Sequence, residues 1–335
     1  MPSPTDTIKL NNGVEVPIIG WFSLMILCTS VSLTDLPLSS FATPCYFAAQ
    51  GSYAPPDPES QGKVKDWTLL AIKNGYRTEK AVGQAIKESG IPREEFFITT
   101  KLAWNQHGHV KQAFEESLAN LDCGYIDLYL MHWPQFIFYD PNNVVPRNED
   151  GSIKTVDTVN FNQSWAEMEK LLDTGKVRAL GVSNFSVKNL EKLFTTAKIV
   201  PTVNQIELHP YLAQNGLRDY CTRKGIVLAA YTPSGYSVVR NDPLVNELAK
   251  KYNVTPTQVI MAWHWSRKNI IIAKSENSER QKENLTIPDI SEVDIAKIWD
   301  LDRGQRICNK ADEKHGQVWG WTYEQLGWED YHAKN

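Results

Sequence analysis

Short apolar runs recur along the chain from residue 96 onward, and between them lie segments in which apolar residues return every third or fourth position. The runs read as strands: 96–102 (FFITTKL), 125–132 (YIDLYLMH), 177–184 (VRALGVSN), 201–209 (PTVNQIELH), 226–233 (IVLAAYTP) and 269–275 (NIIIAKS). The intervening VKQAFEESLANL, FNQSWAEMEKLLDTG, VKNLEKLFTTA and DPLVNELAKKYN carry the helical period, and Gly175 sits where a helix C-cap is expected. Near the start, TIKLNNGVEVPIIG reads as a hairpin, because Asn12-Gly13 supplies the positive-φ pair of a tight turn.

Strands alternating with helices over short connections imply a parallel sheet and an α/β fold. An open doubly wound sheet and a closed (β/α)8 TIM barrel both satisfy that pattern. No G-x-G-x-x-G follows any of the strands, which weakens the open dinucleotide-binding sheet. The strands also end on polar side chains: Lys101, His132, Ser183 with Asn184, Gln205 and His209, Tyr231, and Lys274 with Ser275. In a parallel barrel those ends converge on one face, where the chemistry sits.

Composition narrows the class. In 335 residues, 35 Lys+Arg against 39 Asp+Glu leave a net charge of −4, which argues against nucleic acid or a membrane surface as partner. Hydrophobic residues at 42% describe a chain that buries a core, here expected as one domain over 1–335. The five cysteines are scattered without a C-x-x-C pair, so neither a disulfide framework nor a Cys-built zinc site is expected, and a reducing, cytoplasmic setting is. One stretch departs from the average. From Val16 to Pro56 the only charged residue is Asp35, and the apolar part, 18–33, is shorter than the ~20 residues a bilayer span needs.

A Lys, a His and a Tyr gathered at barrel-strand ends suit carbonyl reduction. A tyrosine hydroxyl donates the proton, an ammonium lowers its pKa, and an imidazole orients the carbonyl. Taken singly, a lysine at a strand end is more often a solvated end, and a histidine in an apolar run a satisfied core residue. Their joint placement carries the functional reading. His107 and His109 have the spacing of a metal pair, but the sequence supplies no third ligand, and no metal is expected.

The segments IPREEFFITTKL, YIDLYLMHWP, KVRALGVSNF, PTVNQIELHP and AKSENSERQKEN together resemble the aldo-keto reductases, NADP-linked barrel enzymes that include aldose, xylose and aldehyde reductases. The resemblance implies Tyr76, Lys101 and His132 as catalytic residues, with Trp104 and Trp133 beside His132 lining the substrate pocket. It implies that Ser183, Asn184 and Gln205 hydrogen-bond a nicotinamide carboxamide and that Tyr231 stacks on its ring. Thr232 and Pro233 would begin the loop around the pyrophosphate. Lys274, Ser275 and Arg280 would grip the 2′-phosphate of NADP(H), and Glu283 and Asn284 would face the adenine. Two cations and a hydroxyl around a dianion favour NADP over NAD.

The chain also departs from that family. The His-Ile-Asp-like run of the second barrel strand is absent, and Ala71 stands five residues before Tyr76, where the family places a catalytic Asp; Gly75-Tyr76-Arg77 also resembles the start of that strand, in which case the catalytic Tyr is missing too. Residues 21–50 read as an insertion within the first barrel strand. The first two barrel strands are therefore expected to be disrupted, and the charge-free segment is not expected to supply a replacement. The connection after Tyr231 is short for the family. The function expected is NADPH-dependent reduction of a small-molecule aldehyde or open-chain aldose, by a monomer or weak oligomer. The alternative is a catalytically impaired barrel that still binds NADP.

Overall fold

β1 (Thr7–Lys9) and β2 (Glu15–Pro17) pair antiparallel, with Gly13 at φ 87° in the turn, so the expected hairpin forms. The computed structural model describes residues 6–22, 45–48, 79–89, 92–140, 143, 145–156, 160–273, 280, 283–284 and 286–328. Leu10 and Val16 of the hairpin are buried against Phe97, Leu128, Ala179, Val203, Ala229 and Ile270. Asn12 Nδ2 donates to the Arg178 carbonyl and Asn11 Nδ2 to that of Pro201. The hairpin thus plugs one end of a barrel.

That barrel is closed and parallel. Its strands are β3 (Ile19–Phe22), β4 (Cys45–Ala48), β5 (Phe96–Leu102), β6 (Ile126–Met131), β7 (Val177–Ser183), β8 (Val203–Glu207), β9 (Val227–Tyr231) and β10 (Ile270–Ala273). β10 pairs with β3 to complete the circle. The six strands read from the apolar runs all form, within a residue or two of their expected ends.

The first two strand positions are shortened, as a disruption implies, but the expectation that no replacement would be supplied is overturned. Both are filled, by strands of four residues each against seven in β5. β3 runs on into Trp21 and Phe22, and β4 comes from the charge-free segment that was not expected to substitute. Cys45 to Ala48 pair with Phe96 to Thr99, while Trp21 and Phe22 pair with Phe47 and Ala48. The physical reason is edge pairing: without β4, the backbone donors and acceptors of β3 and β5 would stand open beside an apolar core, and any extended segment within reach relieves that cost.

Successive side chains on a strand alternate faces. Outward positions such as Ile98, Leu102, Tyr129, Met131, Leu180, Val182 and Ile206 join the large core under the helices. Inward positions are apolar near the hairpin plug (Phe97, Leu128, Leu130, Ala179, Val203, Ala229). Two or four residues further along the same columns stand Lys101, His132, Ser183, Gln205 and Tyr231. The period-two pattern that fills the barrel therefore aims the polar residues into its far mouth.

Around the sheet run helices including Glu79–Ser89, Val110–Leu121, Phe161–Leu171, Pro243–Tyr252 and Pro256–Ser266. Phe161–Leu171 starts on a capping box at Asn160, and the chain leaves its last turn through Gly175 at φ 66°. After β9 the connection contains the single-turn helix Tyr236–Arg240. Among the described residues no helix is long and apolar enough to cross a membrane.

Beyond the helix Glu292–Trp299 the chain crosses the barrel mouth. There β11 (Gln317–Val318) and β12 (Trp321–Thr322) form a small hairpin. Its side chains pack with Trp104, Trp133 and Ile137 in a separate aromatic cluster that also holds Leu326 and Trp328.

Candidate active site

Lys101 lies one residue from the end of β5 and is 3% exposed; burial pushes its ammonium down to about 7. His132 follows β6 and is also buried, and desolvation lowers its imidazole to about 3, so the ring is neutral at ordinary pH. Its ring stacks on Trp104, with centroids 6.2 Å apart and planes 13° from parallel. Trp104 also meets Trp133 at 6.4 Å and Trp319 at 4.8 Å. The expected pocket tryptophans are therefore together, with Trp319 joining them from the C-terminal hairpin.

The neighbouring strand ends form a hydrogen-bonded rim. Asn184, held at φ 65°, donates through Nδ2 to the His132 carbonyl at 3.0 Å and accepts from the Tyr231 hydroxyl at 2.6 Å. Ser183 Oγ donates to the Gln205 carbonyl at 2.7 Å. The side chain of Gln205 differs from these. It is fully buried, and both its amide oxygen and its amide nitrogen lack a hydrogen-bond partner among the described residues. A buried amide left open on both atoms is costly, and a ligand carrying one donor and one acceptor, as a carboxamide does, would satisfy it.

Thr232 adopts φ 52° and its hydroxyl lies 3.6 Å from Cys308 Sγ, while the Pro233 carbonyl is 3.0 Å from His264 Nε2. Arg280 is exposed, Glu283 half-buried and Asn284 buried. Tyr76, Lys274 and Ser275 lie outside the described residues, as does Ala71. His107 is hydrogen-bonded to Ser164 at 3.0 Å and His109 packs on Tyr139. Among the described residues no cluster of three or more His, Cys, Asp or Glu is arranged to hold a metal ion.

Several residues at the mouth escaped the sequence reading. Glu207, two positions beyond Gln205 on the same inward column, is buried and accepts at Oε1 from the backbone N–H of Ile307 and of Cys308, at 2.6 and 3.0 Å. His209 Nε2 lies 3.1 Å from the same oxygen, which gives that histidine a structural place, and Arg306 is 3.6 Å from Oε2. Burial raises the Glu207 carboxyl, but His209, Arg306 and the backbone donors outweigh it and leave it below its ordinary value. Asn309 and Trp319 complete the set. Only the Trp-Gly pair in GQVWGWT signalled a turn there.

A barrel mouth that gathers a buried lysine, a neutral histidine and an open amide suits small-molecule chemistry. Residues 74–303 match the family model described as the aldo/keto reductase family, and the chain belongs to that family of oxidoreductases. It is 42% identical to a glycerol 2-dehydrogenase (NADP(+)) of Saccharomyces cerevisiae, over 69% of this chain and 80% of the relative. It is 36% identical to a glyoxal reductase of Bacillus subtilis, over 92% and 97%. Among solved structures, the aldose reductase of Schistosoma japonicum superposes with a TM-score of 0.73 at 27% identity, covering 94% of this chain and 98% of that one.

Proposed function

We propose that this chain is an NADPH-dependent reductase of aldehydes or open-chain aldoses. The observation that carries the reading is the convergence at one mouth of a buried Lys101, a neutral His132 against Trp104, and the open amide of Gln205. When bound, the cofactor supplies a hydride to the carbonyl carbon. The Gln205 amide receives the carboxamide at its two open atoms, helped by Ser183 and Asn184, and Tyr231 presents its ring face to the nicotinamide. Thr232 and Pro233 begin the turn around the pyrophosphate. Lys274, Ser275 and Arg280 hold the 2′-phosphate, with Glu283 and Asn284 toward the adenine.

His132, being neutral, donates a hydrogen bond to the substrate oxygen without giving up a full proton. Tyr76 is assigned as proton donor on its family-like spacing to Glu79, Val82 and Gly83. The Lys101 ammonium lowers the tyrosine pKa toward neutrality. Trp104 and Trp133 line the substrate pocket. The chain acts as one domain, in the cytoplasm, as a monomer or weak oligomer.

The test is NADPH oxidation, followed by absorbance, with a panel of aldehydes and aldoses, for the wild-type chain and Tyr76→Phe. Turnover that Tyr76→Phe lowers by a hundredfold or more, with NADPH binding retained, supports the assignment. NADPH binding without turnover of any panel member selects an impaired barrel, the outcome that Ala71 in place of the family's Asp would favour. Failure to bind NADPH rejects both.

A further inference from the structure

The C-terminal segment carries two residues in the left-handed region that glycine normally occupies, Asn309 at φ 51° and Trp319 at φ 51°. Asparagine tolerates that conformation. A tryptophan does so at a cost of order 1 kcal/mol or more, and the tertiary structure must hold it there. Trp319 and Gly320 are the two turn residues of the β11–β12 hairpin, both at positive φ, as a type I′ turn requires. Gly320 has no alternative, because a Cβ there would collide with Thr155.

What holds Trp319 is specific. Its indole packs on Trp104 at 4.8 Å, and its Nε1 donates to Asn309 Oδ1 at 3.1 Å. The other end of the same amide, Asn309 Nδ2, donates to the Tyr231 hydroxyl at 3.0 Å. Tyr231 in turn donates to Asn184 Oδ1, and Asn184 donates to the His132 carbonyl. All four bonds run in one direction, so each polarises the next. His132 then stacks on Trp104, which closes the circle. Six residues, four from the ends of four strands and two from the C-terminal segment, thus form one ring of contacts around the mouth.

We propose that Asn309 is a positioning residue that couples the substrate wall to the cofactor face. Trp319 and Tyr231 communicate through its side-chain amide, one atom serving each. A change at the Trp319 indole therefore alters how firmly Tyr231 is held, and with it the affinity for the cofactor. The proposal rests on the reading above that Tyr231 faces the nicotinamide. It concerns a residue that neither the helical nor the strand period of the sequence marks, and it acts through Tyr231 rather than on the substrate.

The experiment is a double-mutant cycle on NADPH affinity, measured by titration calorimetry on the full chain. Trp319→Phe keeps the aromatic face on Trp104 and removes the indole N–H. Asn309→Gly suits φ 51° and removes the amide, so its effect is not one of backbone strain. Trp319→Phe is expected to weaken NADPH binding about threefold in the wild-type background and to have no further effect in Asn309→Gly. A residue that only stabilised the fold would shift melting temperatures without this loss of coupling. Additive effects, or no effect of Trp319→Phe, would overturn the proposal while leaving the reductase reading intact. Asn309→Asp is an independent check: it keeps an acceptor for the indole but loses the donor to Tyr231, and its NADPH affinity is expected to fall as in Asn309→Gly. Unchanged affinity in that variant overturns the proposal. A wild-type chain that does not bind NADPH overturns the reductase reading and this proposal together.

Discussion

At the scale of single residues, Lys101 and His132 set the pH behaviour. Burial lowers the Lys101 ammonium from its ordinary 10.5 to about 7. Between those two values the unfolded chain binds more protons than the folded one, so stability is expected to rise with pH across that window. Urea unfolding at pH 7 and pH 9 checks this, and Lys101→Met should flatten the difference. If the ammonium is the charge that activates Tyr76, turnover falls as pH rises through about 7, and Lys101→Met abolishes that limb together with most of the rate. His132 titrates near 3 and is neutral above pH 5, so it adds no inflection to the profile there. Gln205 is the third test: Gln205→Leu removes the open amide and is expected to weaken NADPH binding about tenfold, the equivalent of one good hydrogen bond. Lys101 and His132 were legible as polar ends of apolar strands and Gln205 as a polar break within one, and strand alternation turns all three into the barrel. Asn309 was not, since it lies in a loop whose course no periodicity describes.

Between elements, the decisive contacts are close approaches. Gly83 of the helix Glu79–Ser89 faces the last turn of the helix Val110–Leu121, where a Cβ would strike the Leu121 carbonyl. Gly83→Ala is therefore expected to cost about 1–3 kcal/mol, read as a shift of the denaturation midpoint without a change in its slope. The same helix is anchored by Glu79, which is buried and accepts from the Thr100 hydroxyl at 2.6 Å, on the strand that carries Lys101. Separating these helices would thus disturb β5 at the site. β5 was read from the sequence to the residue, and β6 to β10 to within two, because a buried parallel strand writes itself as an apolar run. β3 and β4 were not so legible. Each has four residues, too few for a period to stand out, and the second lies in a nearly charge-free stretch of mixed apolar and small polar residues.

For the molecule as a whole, two closures matter. The barrel closes through Cys45–Ala48, which pairs with both β3 and β5. Deleting those four residues is expected to leave two open strand edges and to turn a chain that elutes as one species into one that aggregates, as size-exclusion chromatography would show. The mouth closes through Glu207, whose carboxylate accepts from Ile307 and Cys308. Its lowered pKa means that this stabilisation is present above the ordinary glutamate value and is lost as pH falls through the folded one. Glu207→Gln should raise hydrogen exchange at those two amides about tenfold at neutral pH. The sequence by itself determined the alternation of strands and helices, the hairpin and the polar strand ends, since each follows from local periodicity or turn chemistry, and those polar ends favoured a barrel over an open sheet. Only the tertiary structure decided which segment fills the second strand position and which residues roof the mouth. Both depend on contacts between positions far apart in the chain, such as Glu207 with Ile307, Tyr231 with Asn309, and Cys45 with Phe96, and these are selected by open backbone edges and unpaired polar atoms that exist only once the rest has folded.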